Sequence, residues 1–186
     1  MTGKARELVN MIQRRKVDKL GIQETRWKGS KARSLGAGFQ LFYHGSDKKR
    51  NGVGFMLKEF VKNVLEVKRL SDRLMSLKLE IEGVMFNVVR GYAPQVGCEL
   101  EKKKFWSELD EVIQRIPRGE RVVIGADFNG HVGEWNRGDE NVMGSFGLQD
   151  RNAVGQMVVD FAKSIDFSVV NTFFPKRQEH RVSYKS

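Results

Sequence analysis

The segment Val122-Val123-Ile124-Gly125-Ala126 carries no polar side chain, and it breaks at once into Asp127-Phe128-Asn129. Such a run drives the backbone into a core as a strand. A carboxylate delivered at the exit of a buried strand is costly unless it is paired, hydrogen-bonded or bound to a metal. The chain therefore needs a core that accepts this strand and something polar to receive its end. Two other segments are built the same way. Leu20-Gly21-Ile22-Gln23-Glu24-Thr25 ends in an acid, and Val88-Val89-Arg90-Gly91-Tyr92-Ala93-Pro94 ends in a phenol. Leu20, Ile22 and Glu24 share one parity, so in a strand the acid lies on the side of the apolar pair. Each strand end alone is a weak signal; the three together read as a site.

The rest of the pattern says what surrounds these strands. Ala5, Leu8, Met11 and Ile12 recur at helical spacing, with Thr2 as N-cap and Arg14-Arg15-Lys16 suited to a helix C-terminus. Residues 39–43, 52–57 and 61–70 read as strands. Met75, Leu77, Leu79 and Ile81 alternate with Ser76, Lys78, Glu80 and Glu82, which is a half-buried strand. Glu82-Gly83 then turns the chain into residues 84–92, giving an antiparallel hairpin. Phe105, Trp106, Leu109, Val112, Ile113 and Ile116 form an amphipathic helix stopped by Pro117. Residues 130–147 are a Gly-rich functional loop. Val154, Met157, Val158, Phe161, Ala162 and Ile165 make another helix, residues 167–170 a strand, and residues 181–184 the start of one more. No repeat and no low-complexity tract is present. Hairpins with intervening helices imply an α/β sandwich, sheets face to face and helices outside, within one domain over residues 1–186.

Charge narrows the partner. Lys plus Arg number 33 against 23 Asp plus Glu, a net charge of +10 in 186 residues. An acidic polymer, nucleic acid first, is the natural partner. Much of the excess falls in one stretch: Arg26, Lys28, Lys31, Arg33, Lys48, Lys49 and Arg50, opposed mainly by Asp47. Trp27, Phe39, Phe42 and Tyr43 are interleaved, and Gly29, Gly36 and Gly38 read as loop. Basic residues mixed with aromatics suit a nucleic-acid surface; the alternative is a solvated loop whose aromatics anchor in the core. Cys98 is the single cysteine. That excludes an intramolecular disulfide and a Cys-based zinc site, and it fits a reducing compartment with Cys98 as a loop or surface thiol. No stretch has the length of a membrane-spanning helix, and the charged N-terminus lacks a signal-peptide apolar core. A nuclear or cytoplasmic location, not a secreted one, and no membrane partner are expected.

The chemistry follows from the strand ends. Mg²⁺ is held by one or two carboxylates plus waters and substrate phosphate. Glu24 is suited to that ligation, Asp127 to orienting or deprotonating a water, Asn129 to holding that water or a phosphate oxygen, and Tyr92 to donating to the phosphate. Together these roles amount to metal-assisted hydrolysis of a phosphodiester.

Gln23-Glu24-Thr25, Tyr92-Ala93-Pro94 and Gly125-Ala126-Asp127-Phe128-Asn129 resemble, in order, three motifs of the endonuclease/exonuclease/phosphatase superfamily. Glu24-Thr25-Arg26-Trp27, Arg90-Gly91-Tyr92-Ala93-Pro94-Gln95 and Asp127-Phe128-Asn129-Gly130-His131-Val132-Gly133 are similar to its retrotransposon-derived, non-LTR branch. The resemblance implies a DNase I-like four-layer α-β-β-α sandwich and a Mg²⁺ (or Mn²⁺) cofactor. It implies a DNA endonuclease of apurinic/apyrimidinic or retrotransposon type, with Glu24 on the metal and Tyr92, Asp127 and Asn129 at the scissile phosphate. Arg26, Trp27, Lys28, Lys31, Arg33, Lys48, Lys49 and Arg50 would grip the nucleic acid.

The resembling family opens on a strand bearing a metal-site Asn and closes on an Asp-bearing strand and a Ser-Asp-His-like motif. This chain starts at Met1-Thr2-Gly3-Lys4 and stops at Tyr184-Lys185-Ser186. Its histidines, His44, His131 and His180, lie outside such a motif, and His131 and His180 read as loop residues. The comparison implies a fold core lacking its first and last strands, weak or absent turnover, and unpaired sheet edges that favour self-association. Two other readings stay open. One is a non-catalytic remnant that binds nucleic acid or a protein. The other is a lipid or phosphoinositide phosphodiesterase or phosphatase of the same superfamily.

Overall fold

In the computed structural model, which describes residues 2–17, 19–25, 27–46, 51–58, 62–95, 97 and 99–175, the chain divides into two compact units, Met1–Asp127 and Phe128–Ser186. The first unit runs α1 (Thr2–Arg14), β1 (Lys19–Gln23), β2 (Gly29–Gly36), β3 (Phe39–Gly45), β4 (Val53–Leu57), β5 (Val64–Arg69), β6 (Leu74–Ile81), β7 (Val84–Tyr92), α2 (Glu99–Gln114) and β8 (Arg121–Asp127). β1-β4-β3-β2 is an antiparallel sheet. β5-β6-β7-β8 is mixed, because β8 runs parallel to β7. A parallel neighbour needs a crossover, and α2 supplies it.

Alternation decides how the layers close. Val53, Phe55 and Leu57 of β4 meet Met75, Leu77 and Leu79 of β6 in a buried cluster between the sheets. The opposite face of the first sheet, with Met56, Phe39 and Leu41, packs on Val9 and Ile12 of α1. On the far side α2 buries Phe105, Leu109 and Val112. A methyl group added at Gly91 of β7 would stand 3.2 Å from Phe105 Cζ. The order helix, sheet, sheet, helix is the expected four-layer sandwich. At the β6–β7 turn Glu82 and Gly83 both have positive φ, 52° and 79°, as a two-residue hairpin requires. Gly83→Ala should cost about 1–2 kcal/mol through its left-handed backbone; an unchanged urea midpoint would contradict this.

Several sequence expectations are corrected. Residues 29–36, read as loop, form strand β2, and only Gly36, Ala37 and Gly38 turn, all at positive φ. β2 pairs on one side alone, with β3, and is mostly exposed on both faces. A strand so placed needs no apolar alternation, and Lys31 and Arg33 are the charged kind of residue that protects an edge. Thr2 lies inside α1 rather than capping it. The strand at residues 61–70 begins at Val64, and α2 ends at Gln114, before Ile116.

The second unit is built on α3 (Ala153–Ser164). Asn152 caps it, accepting from Gly155 N at 2.8 Å and from His131 N at 3.2 Å. Residues 128–152 contain no helix or strand, as expected of a loop. Residues 167–170 form no strand: Val169 N bonds Val142 O, and Val170–Thr172 is a 3₁₀ turn. Phe167 and Val169 join a small core of Val142, Met143, Val159 and Ala162 rather than extend a ladder, while Val170 is exposed. Arg26, Asp47, Lys48, Lys49, Arg50, Cys98, His180 and residues 181–184 lie outside the described residues. Among the described residues no helix is long and apolar enough to cross a membrane.

Candidate active site

β7 and β8 run parallel and in register, so Tyr92 stands opposite Asp127 at their shared C-terminal ends. Ala93 N closes the end by donating to Asp127 O at 2.8 Å. β1 reaches the same place from the other sheet. Its last residue, Gln23, donates from Nε2 to Asp127 Oδ2 at 2.8 Å. Glu24 follows with φ 50°, and its Oε1 accepts from the Tyr92 hydroxyl at 2.7 Å.

That left-handed residue overturns the parity expectation. Leu20 and Ile22 pack in the α1 cluster, whereas Tyr92 belongs to the cluster between the sheets. A strand continued through Glu24 would carry the acid to the α1 side. The positive φ breaks the alternation and turns the carboxylate toward Tyr92 instead. Glu24, Tyr92 and Asp127 are thus brought together. Asn129 lies in the second unit, with φ 51°, a conformation Asn tolerates better than most residues. Gly130 and Gly133 explain the rest of that motif. A Cβ at Gly130 would fall 2.9 Å from Gly155 N, and one at Gly133 2.9 Å from Arg151 Cα.

The environment sets the protonation of the phenol. Burial raises the Tyr92 pKa, the hydrogen bond to Glu24 adds to this, and the charges of Glu24 and Asp127 push the same way. Arg73, 5.8 Å over the ring, opposes them. Tyr92 therefore stays a neutral donor at ordinary pH. Thr25, next to Glu24, is buried, and among the described residues its Oγ1 has no hydrogen-bond partner.

Two residues in the quoted motifs received no role from sequence. Arg90 donates from Nη2 to Gln23 Oε1 and from Nη1 to Gly125 O at 2.6 Å. Its signal was available: Phe86, Val88 and Tyr92, at the same parity, pack in the core between the sheets, and a guanidinium interrupts them. The basic residues are distributed differently. Lys28 is exposed, and Lys31 and Arg33 line the β2 edge. Trp27 is half-buried, edge-on to Tyr43 at 5.0 Å, against the α1 cluster. His131 is exposed; its backbone serves the Asn152 cap.

No protein-family model matches the chain. By structure it is similar to the endonuclease domain of TRAS1, a telomere-specific non-LTR retrotransposon, with a TM-score of 0.58 at 13% identity over 87% of this chain and 64% of that one. The chain has the DNase I-like fold. The same fold relates it to D. rerio TDP2 complexed with single-strand DNA product, with a TM-score of 0.50 and 15% identity over 67% of this chain and 53% of that one. By sequence it is 25% identical over 187 residues to craniofacial development protein 2 of Tragulus javanicus and of Bos taurus. The match covers 99% of this chain but 32% and 31% of those proteins, so the chain spans about a third of their length. Within the DNase I-like fold the Glu24–Tyr92–Asp127 group lies where three strands end together.

Proposed function

We propose that this chain is a Mg²⁺-dependent phosphodiester hydrolase of the DNA endonuclease type. The observation that carries the reading is the Glu24–Tyr92 hydrogen bond at 2.7 Å beside Asp127, since it joins all three sequence-marked strand ends. The donor set suits Mg²⁺. It offers the hard carboxylate oxygens of Glu24. Among the described residues no group of three or more His, Cys, Asp or Glu gathers into a cage. Mg²⁺ keeps several waters and takes one or two carboxylates plus phosphate, so a caged site is not required. Mn²⁺ fits the same donors.

When bound, the ion supplies positive charge against the developing charge on the phosphate. Glu24 holds it. Asp127 orients the attacking water and accepts its proton, and Asn129 supplies a polar contact to that water or to a phosphate oxygen. Tyr92 has one proton, which it gives to Glu24 in this structure. With Glu24 engaged on the ion, that proton is available to a phosphate oxygen. Lys28, Lys31 and Arg33, with Arg26, Lys48, Lys49 and Arg50, supply the charge that attracts DNA, and the net charge of +10 supports this. A nuclear or cytoplasmic location follows from the proposed substrate class.

The net charge of +10, which attracts DNA whether or not it is cut, favours a second reading, a DNA-binding domain that does not cleave. Supercoiled-plasmid nicking with Mg²⁺, beside EDTA and Glu24→Gln, separates the two. Nicking that vanishes in both controls is the expected result. Salt-dependent DNA binding without nicking would establish the second reading. The open edges favour self-association as well: β8 pairs only with β7 among the described residues, and its Val123 is exposed. Sedimentation should show dimers or larger species; a strict monomer would contradict this.

A further inference from the structure

Asp127 Oδ2 accepts from Gln23 Nε2 at 2.8 Å, Gln23 Oε1 accepts from Arg90, and Arg90 donates onward to Gly125 O at 2.6 Å. An amide can present either its oxygen or its NH₂ to a neighbour, and the choice follows from what that neighbour can do. A guanidinium only donates. The Gln23 atom facing Arg90 must therefore be the oxygen, and the atom facing Asp127 must be the NH₂.

We propose that Arg90 and Gln23 are positioning residues for Asp127, with Arg90 fixing the Gln23 amide so that its NH₂ always faces the carboxylate. This rests on the role of Asp127 proposed above. The lock also crosses between sheets. Gln23 is the neighbour of Glu24 on β1, while Asp127 ends β8 in the other sheet. A bond from Gln23 to Asp127 thus sets the metal-binding acid and the water-activating acid relative to each other.

The fold is cut to fit this arginine. Its register partner on β8 is Gly125, which has no side chain to compete for the space. Across the gap, a Cβ at Gly21 would stand 2.7 Å from Arg90 Cδ and 3.0 Å from Nε. Arg90 Nε is buried and has no hydrogen-bond partner among the described residues. Burial lowers the Arg90 pKa while the charge of Asp127 supports it. An apolar residue in the stripe of Phe86, Val88 and Tyr92 would bury without any of these costs. Stability alone does not account for a cation here; holding the Gln23 amide does.

The test has two readouts. The first is independent of cleavage: exchange with water of the Gln23 side-chain amide protons in ¹H–¹⁵N spectra, identified by their loss in Gln23→Met. Exchange should accelerate on the order of tenfold in Arg90→Met and in Asp127→Ala, the size expected for a hydrogen bond to a charged group. It should return toward the native rate in Arg90→Lys, because lysine is also donor-only. The second is plasmid nicking at saturating DNA. Gln23→Glu keeps a partner for Arg90 but sets a carboxylate against Asp127, and should lower kcat about 10²-fold with little change in KM, as misplacement of a reacting group does. Gln23→Met should lose less. A merely structural Gln23 gives the opposite order, since Gln23→Glu preserves the Arg90 bond. Arg115→Met, an exposed arginine on neither path, is the control. Native exchange in Arg90→Met, or Gln23→Met falling below Gln23→Glu, would overturn the proposal. A wild-type chain that shows the exchange pattern yet nicks nothing would uphold the lock and overturn the hydrolase reading.

Discussion

Asp127→Asn is expected to reduce Mg²⁺-dependent nicking by ~10²–10⁴-fold, the range for loss of a positioned general base. DNA affinity should change little, because the charge that draws DNA is spread over the basic surface. Asparagine is the informative replacement. Its side-chain oxygen can still accept the Gln23 Nε2 bond that Asp127 Oδ2 now receives, while its amide cannot take a proton from water. Asp127→Ala removes both functions and leaves the half-buried Gln23 amide short of an acceptor, at a cost of roughly 1–3 kcal/mol. Comparing the two separates chemistry from stability. If Asp127→Asn nicks at the native rate with a native melting temperature, Asp127 has no catalytic role.

The largest stability effect should come from the second unit, from residues outside the quoted motifs. Asp139 is buried at 2% exposure. Arg151 Nη2 reaches it at 2.5 Å, Lys163 Nζ at 2.7 Å and Asn136 N at 3.0 Å. Arg151 also donates to Val132 O at 2.7 Å and to Glu134 O at 3.1 Å. One ion cluster thus ties the irregular segment 128–152 to α3. Asp139→Asn should destabilise this unit by about 3–5 kcal/mol, because it strands buried cationic charge without its counter-ion. Calorimetry checks this, and a loss below 1 kcal/mol, the level of a surface ion pair, would refute it.

The same cluster predicts an acid limit. Burial pushes the Asp139 carboxyl up from its ordinary 3.8, but the hydrogen bonds from Arg151, Lys163 and the Asn136 backbone outweigh that and hold it well below. The folded-state pKa is depressed, so the contribution is present above the unfolded value. It is lost as the pH falls through that value toward the folded one. Wild type should lose stability steeply below about pH 4, and Asp139→Asn should lack that part of the slope.

How far the sequence reaches is clearest at individual residues. Met75, Leu77 and Leu79 against Ser76, Lys78 and Glu80 announce β6 and its buried face, because alternation leaves a direct trace. Glu82-Gly83 announces its hairpin for a similar local reason. β2 leaves no such trace, since an edge strand exposed on both faces imposes no apolar pattern. Residues 167–170 mislead in the opposite way: they are apolar enough for a strand, but Phe167 and Val169 are used as core contacts of α3. The strand ends at Glu24, Tyr92 and Asp127 are legible from the apolar runs before them, although β1 and β8 turn out to be edge strands with no fully buried residue. Gln23 and Arg90 are not, because their meaning lies in what each faces across the gap between the sheets.

The four-layer order was implied by the family resemblance; the residue patterns by themselves determined a sandwich of face-to-face strands with helices outside, the positions of its strand ends and the basic character of the chain. Those properties follow from local burial patterns and from charge counts, which need no knowledge of distant neighbours. The tertiary structure alone decided that Glu24 turns out of its strand's parity to meet Tyr92. It alone placed Arg90 on Gln23 and Gln23 on Asp127, and gathered Asp139, Arg151 and Lys163 into one buried cluster. Each of those is a hydrogen bond or ion pair between side chains distant in sequence or set by a backbone φ. Its energy depends on distance and burial, which no linear pattern records.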